Sequence, residues 1–357
     1  MKIGIIGASS QVGSSLAFYL KHFTEITPVC FVRSSYSQVF FEMTGIEYKA
    51  CDINDTVLLK EELSKLDAVV DCTYPSGQLY EIPHIIRQNI KSITAAMPAG
   101  KTFIYFSTIM AYGMPDEYKH VKNFGIARST YAYIKRIAEK TVESETAKNK
   151  LRGFNFRLGQ VHGFLQSVNT SYREKLYVNQ FIKLDGAPGD KVNVIFIRSL
   201  AEAVIKAAKK EILPGKYSLV NNPQWNLEEL YGYYKEYYHY NTPVVYSGKQ
   251  HTSVKQSIKN KISNTVKQYR GVLESYYLTS RPALYKKIKG RFRSTNAAAA
   301  TSGVENDPYT DFHLLGTNPG KLVIGIECDK NAMMIIEKKM ELLYNSFLEQ
   351  NTAGSNG

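Results

Sequence analysis

Long apolar runs are missing from this chain. None reaches the roughly 18 residues that cross a bilayer as a helix. The first residues read as a strand, not as a charged-then-apolar leader. Neither a membrane span nor a secretion signal is therefore expected, and the location is predicted to be cytoplasmic. Cysteine is scarce, with four in 357 residues: Cys30, Cys51, Cys72 and Cys328. Their spacing does not pair metal ligands. Three fall at or beside predicted core strands, which reads as buried free thiols in a reducing cytosol. The seven histidines form no cluster, so no metal is expected. Acidic residues are outnumbered, 32 against 45 Lys and Arg, giving a net charge of +13. Twelve Lys or Arg and one acid, Glu274, lie between Tyr246 and Thr295, so that stretch carries +11 and the rest +2.

What is present is a proton-transfer device. Tyr131 and Lys135 sit four residues apart in Ser-Thr-Tyr-Ala-Tyr-Ile-Lys, a segment that reads as a helix. That spacing puts a phenol and an ammonium on one helix face. A free phenol, with a pKa of about 10, is a poor base at neutral pH, and a fixed cation beside it is expected to lower that value. Thr108, 23 residues upstream, can share a substrate oxygen with the phenol. The three together suit an alcohol/ketone pair.

The partner of such chemistry is a hydride acceptor, and the N-terminus signals one. The apolar strand Lys2-Ile-Gly-Ile-Ile6 runs into Gly7, Ser9, Ser10, Gln11, Val12 and Gly13, then into a helical pattern. Small residues there let a pyrophosphate approach the free N–H groups of a helix N-terminus. After the second strand come Arg33, Ser34 and Ser35. An acid at that place would bind ribose hydroxyls and repel a 2′-phosphate. An arginine suits the phosphate, which predicts NADP(H), with NAD as the alternative.

These motifs, in this order, resemble the extended short-chain dehydrogenase/reductases, the family of NAD(P)-dependent sugar-nucleotide epimerases, dehydratases and ketoreductases. The family's glycine pattern falls on Gly7, Ser10 and Gly13, with serine in the middle place. Its aspartate-aliphatic pair falls on Asp52 and Ile53, which the resemblance places on the adenine. Its Ser/Thr-x-x-x-Tyr-Gly stretch falls on Thr108 through Gly113, and its Tyr-x-x-x-Lys on Tyr131 and Lys135, trailed by Glu139. Phe156 to Gly163 and Val194 to Val204 resemble two later elements, with Gln160 and His162 in the places of Asn and Tyr. The match covers roughly residues 1–230.

The resemblance implies that Thr108, Tyr131 and Lys135 are catalytic, and that Lys135 also holds the cofactor ribose. Thr73 and Tyr74 would edge the cofactor cleft, and Met110, Gln160 and His162 would line the substrate. His162 reads as packed beside the cleft rather than as an acid or base. Arg157 reads either as a substrate or cofactor contact or as a structural ion-pair partner. Dehydratases of the family carry an acidic pair right after the Ser/Thr. Here Ile109 and Met110 stand there, which argues against dehydration. Epimerisation and net reduction of a keto-sugar both stay open, in surface polysaccharide or glycoconjugate synthesis. A rival reading is a non-catalytic nucleotide-binding scaffold or sensor. A homodimer, through the Tyr131 helix and the one before it, is implied by resemblance only.

Strand–helix alternation to about residue 157 predicts an α/β fold, a Rossmann-type doubly wound parallel sheet. Strands are expected at Lys2–Ile6, Pro28–Val32, Glu47–Ala50, Ala68–Cys72, Thr102–Phe106 and Gly153–Leu158. Residues 1–165 with 190–210 are read as the dinucleotide-binding domain, and 166–189 with 211–248 as a smaller substrate lobe. Leu227–Tyr240 reads as a Tyr-rich packed helix. In 249–295, Val254, Ile258, Ile262, Val266, Tyr269, Leu273 and Tyr276 recur at helical steps, with Lys and Arg on the other faces. This basic amphipathic extension reads as packed on its own domain, or as resting over 250–293 on an anionic inner membrane face. Nucleic acid is the third alternative, against which the aromatics lie on the apolar face rather than among the charges. A linker is expected at 296–308. A closing unit at 309–350 combines a strand at Leu322–Ile326 with a helix from about Asn331 to Leu348.

Overall fold

The computed structural model describes residues 1–78, 80–112, 130–184, 186–247, 281, 284 and 329–354. The basic extension, the linker and the predicted strand at Leu322–Ile326 lie outside these residues, apart from Arg281 and Leu284.

Seven strands form one parallel sheet: β1 (Lys2–Ile6), β2 (Thr27–Val32), β3 (Tyr48–Ala50), β4 (Ala68–Asp71), β5 (Thr102–Thr108), β6 (Arg152–Leu158) and β10 (Gly215–Leu219). Their order is β10-β6-β5-β4-β1-β2-β3. The central strands β1, β4 and β5 are buried without alternation, because helices cover both faces of the sheet. Helices α1 (Gln11–Phe23), α2 (Ser35–Met43) and α7 (Ile197–Ala208) pack on one face around Leu16, Phe18, Phe41 and Leu200. Helices α3 (Thr56–Ser64), α4 (Ile82–Ala96) and α5 (Thr130–Lys148) cover the other, around Leu59, Ile86, Ile90 and Ile134. The fold is the doubly wound α/β sheet that the alternation predicts. The order of successive strands reverses between β1 and β4, and an open α/β sheet binds its ligand at such a switch point.

Two small parallel sheets build the lobe: β7 (Gln160–His162) with β9 (Val194–Phe196), and β8 (Ile182–Leu184) with β11 (Val244–Tyr246). Helices α6 (Ser167–Val178) and α8 (Leu227–Tyr238) complete it around stacked tyrosines. Tyr172 lies 4.5 Å from Tyr234, ring to ring. The Tyr-rich helix starts on a capping box, Asn226 with Glu229. The closing helix, α9 (Lys330–Gly354), is longer than predicted and buries Met333, Met334 and Met340. Two boundaries need correction: β7 and β9, read within the dinucleotide-binding domain, pair with each other and help to build the lobe. Residues 211–248 do not belong wholly to the lobe, because β10 pairs in parallel with β6 at the edge of the main sheet.

None of the described helices is long and apolar enough to cross a membrane. Cys30, Cys51 and Cys72 are free thiols.

Candidate functional site

The first turn after β1 shows why its small residues matter. Gly7 has φ +75°, a region that side chains disfavour. A Cβ there would also lie 3.0 Å from Thr73. At Gly13 a Cβ would meet the Gly7 carbonyl at 2.6 Å, so helix α1 could not close on the strand. Ser10 replaces the middle glycine at no such cost. It is the N-cap of α1, and its Oγ accepts the Gly13 N–H at 3.1 Å.

Above this turn opens a cleft of about 600 Å³ at the carboxyl ends of β1, β2 and β4. Gly7, Ser9, Ser10, Arg33, Ser34, Asp52, Ile53, Thr73 and Tyr74 all line it. Sequence reading missed Ser37, Asn54 and Asn89, which share the lining. Ser37 was findable: it lies one turn from Ser34 on α2, and the two hydroxyls are 2.8 Å apart. Gln11, Val12 and Gly13 support the turn instead of lining the cleft. Gln11 reaches Ser167 at 3.1 Å, tying α1 to the start of α6.

Tyr131 and Lys135 gather about Tyr74, which lines this cleft. The Tyr74 ring lies 5.2 Å from the Tyr131 ring. The Lys135 ammonium sits over both, 5.6 Å from the first and 5.9 Å from the second. It donates to the Phe106 carbonyl at 2.8 Å and to Tyr105 Oη at 3.1 Å. Thr108 ends the same strand, nearly buried, and its Oγ1 accepts the Met110 N–H at 3.3 Å. Met110 itself is exposed.

Electrostatics here differ from the expectation. The Tyr131 phenol is not lowered. Burial of its surroundings, with Tyr74 adding to it, pushes the pKa up to about 12, although the residue as a whole is 38 % exposed. Lys135 directs its hydrogen bonds at Tyr105 and Phe106. Burial instead lowers Lys135 to about 8, against the pull of Asp71, Cys72 and Glu139. Asp71 is buried at the end of β4, in register with Tyr105. One of its oxygens accepts the Thr73 N–H, and the other has no hydrogen-bond partner among the described residues.

Two further positions were left open by the sequence. Arg157 is an ion-pair partner. It grips Glu139 on α5 with two bonds of 2.8 and 2.6 Å, and Ser107 adds a third to the same carboxylate. His162, expected along the substrate, is fully buried between Tyr172, Phe196 and Tyr234. Any role it has must pass through a neighbour. Gln160, half-buried, is that neighbour at 3.1 Å.

The pattern of the NAD dependent epimerase/dehydratase family matches residues 3–219. The chain belongs to that family. It is an enzyme of the extended short-chain dehydrogenase/reductase type. Among solved structures it is similar to UDP-N-acetylglucosamine 4-epimerase from Bacillus cereus, at 19 % identity and a TM-score of 0.54, over 73 % of this chain and 92 % of that one. It is also similar to the Bordetella bronchiseptica enzyme WbmH in complex with NAD+, at 19 % identity and a TM-score of 0.51, over 72 % and 91 %. The ADP-L-glycero-D-manno-heptose-6-epimerase of Helicobacter pylori follows at 18 % and 0.52, over 69 % and 84 %. At such identities the likeness establishes the shared fold. No curated protein sequence matches the chain.

Proposed function

We propose that this chain is an NAD(P)-dependent sugar-nucleotide epimerase or 4-ketoreductase, with Tyr131 exchanging a hydroxyl proton of the sugar. The observation that supports it most is the gathering of Tyr131 and Lys135 about Tyr74, which lines a cleft built on the β1 turn.

The residues fit a dinucleotide. Gly7, Ser9 and Ser10 leave the N-terminus of α1 open to a pyrophosphate. Asp52 and Ile53 suit the adenine, and Tyr131 and Lys135 the ribose beside the nicotinamide. Arg33 with Ser34 and Ser37 suits a 2′-phosphate, so NADP(H) is the favoured form. When bound, the cofactor supplies the hydride acceptor or donor. Tyr131, protonated at neutral pH, is ready to give its proton to a keto oxygen that Thr108 orients. The oxidative half of an epimerisation runs the transfer in reverse and requires Tyr131 as the phenolate, its own proton already given up. Ile109 and Met110 place no carboxylate beside the reacting carbon, which disfavours dehydration.

Nucleotide-sugars that feed polymer synthesis suit this reading. We place the enzyme in the cytoplasm as a homodimer, and the basic stretch 250–293 could bring it to an anionic membrane face. Turnover of UDP-hexoses and their 4-keto forms tests the core of the reading. Tyr131→Phe should cut it by about 10²- to 10⁴-fold while NADP(H) still binds. Unchanged turnover by that variant would defeat the proposal. Failure of the wild-type chain to bind any nicotinamide cofactor would favour the scaffold.

A further inference from the structure

Four side chains run inward from the carboxyl edge of the main sheet: Gln160, His162, Tyr234 and Asn169. His162 Nδ1 lies 2.5 Å from Tyr234 Oη, and Nε2 lies 3.1 Å from the side-chain amide of Gln160. Tyr234 Oη lies 2.6 Å from Asn169 Oδ1, which also takes the Gly163 N–H at 3.1 Å.

Heavy-atom positions do not distinguish the ends of an amide or locate a ring proton. The donor order follows from the one donor that cannot be reversed, the Gly163 backbone N–H. It fixes the oxygen of Asn169 at this point. An amide oxygen only accepts, so Tyr234 spends its single proton on Asn169. The tyrosine oxygen can then only accept from His162, and Nδ1 carries the ring proton. A second ring proton would create a fully buried cation, and burial holds the imidazole pKa down to about 3. Nε2 is therefore bare and needs a donor. The Gln160 atom beside it must be the amide nitrogen, and the carbonyl oxygen points away from the ring.

Gln160 is half-buried, and its side chain makes no other hydrogen bond among the described residues. It stands two residues beyond Leu158, the register partner of Thr108, so it leaves the sheet beside the reacting end. We propose that Gln160 presents its amide carbonyl, an acceptor, to the sugar of the substrate, and that His162, Tyr234 and Asn169 are positioning residues that hold it in that sense. The ligand chemistry selected is a donor, a sugar hydroxyl or an acetamido N–H. Phosphate and carboxylate oxygens would be repelled. The ligand half rests on the sugar-nucleotide reading above; the proton order does not.

Long-range ¹⁵N–¹H NMR on the ¹⁵N-histidine-labelled full chain decides the proton order without substrate. The expected pattern is one histidine protonated at Nδ1 and bare at Nε2. Tyr234→Phe fills the same space and removes the acceptor, so this one signal should pass to the Nε2–H form. Gln160→Glu, at a half-buried site, should convert it to the doubly protonated form. An Nε2–H or doubly protonated His162 in the wild type would overturn the proposal. Calorimetric titration with UDP-N-acetylglucosamine then reads the ligand half. Gln160→Met should weaken binding about tenfold, as expected for one lost hydrogen bond of about 1.4 kcal/mol, with NAD affinity unchanged. Equal affinity would refute the presented carbonyl. A wild-type chain that binds no UDP-sugar would instead defeat the function proposed above and leave the NMR result standing.

Discussion

Lys135 Nζ lies 3.1 Å from Tyr105 Oη and donates to it, and the Phe106 carbonyl at 2.8 Å takes a second bond. The ammonium is thus anchored to β5, one turn of helix away from the phenol it was expected to serve. Asp71 stands beside Tyr105 in register and is the foremost charge opposing the loss of the Lys135 proton.

That arrangement makes cofactor binding pH-dependent. Lys135 is proposed to hold the ribose, and burial brings its pKa to about 8. NADPH affinity should decline as pH rises through about 8. Asp71→Asn removes the main charge that keeps the lysine protonated, so the decline should move to lower pH. Fluorescence titration of NADPH on either side of that pH reads both. An unmoved alkaline limb in the variant would show that Asp71 does not act on Lys135. The sign for stability is opposite. Lys135 sits below its ordinary value of 10.5, so the folded chain releases its proton first, and this group's cost to stability is relieved between about 8 and 10.5.

Much of this was readable in the residues, for identifiable reasons. Strands β1, β2, β4 and β5 are buried on both faces, so each reads as an apolar run between helical patterns. Strand β10 escaped because Lys216 and Ser218 interrupt it; it is an edge strand, and Lys216 reaches Glu143 at 2.8 Å. Tyr131, Lys135 and Thr108 were legible because helical spacing is local. The roles of Asp71 and Tyr105 were not, since they depend on the register of two strands about thirty residues apart. The direction of the Tyr131 shift failed because it is set by burial, with Tyr74 adding to it, which helical spacing does not show. Spacing places the lysine near the phenol but does not reveal which acceptors bind its ammonium.

Cofactor preference turns on Arg33. Its guanidinium lines the cleft with Ser34 and Ser37. A charge-assisted hydrogen bond is worth about 1.5–3 kcal/mol, so Arg33→Ala should weaken NADPH by tenfold or more and leave NADH nearly unchanged. Competitive binding of the two nucleotides measures the ratio. Equal losses for both would mean that Arg33 stacks on the adenine and reads no phosphate.

Arg157 and Glu139 form a buried ion pair, 7 % and 2 % exposed at the side chains. Removing one partner strands the other, at a cost of about 3–5 kcal/mol. Arg157→Met should therefore lower stability by that order in urea unfolding. A double change with Glu139→Leu should recover part of it. The carboxyl is held below its usual range by Arg157 and Ser107, against burial. Its contribution is present above the ordinary carboxylate pKa and is lost as pH falls through the depressed value. A single Arg157→Met change that costs nothing would show the pair to be idle.

Glu337 is a strained choice for a core position. It is buried on α9, and Oε2 accepts the Phe164 N–H while Oε1 finds no partner among the described residues. Gly163, at φ +114°, makes room for it; a Cβ there would lie 2.6 Å from the carboxylate. Burial, with Glu341 adding to it, raises the acid to about 8, against an ordinary 4.5. The folded chain thus holds a proton that the unfolded chain gives up. Stability from this group is full below about 4.5 and is lost as pH rises toward 8, by at most about 5 kcal/mol at about 1.4 kcal/mol per pKa unit. Glu337→Gln keeps the shape and an acceptor for Phe164 without the titration. Urea unfolding at pH values below and above this window should find wild type weakening as pH rises and the glutamine variant nearly flat, with the variant the more stable at the alkaline end. If both lines fall together, the loss comes from another group and α9 is not held by a protonated acid.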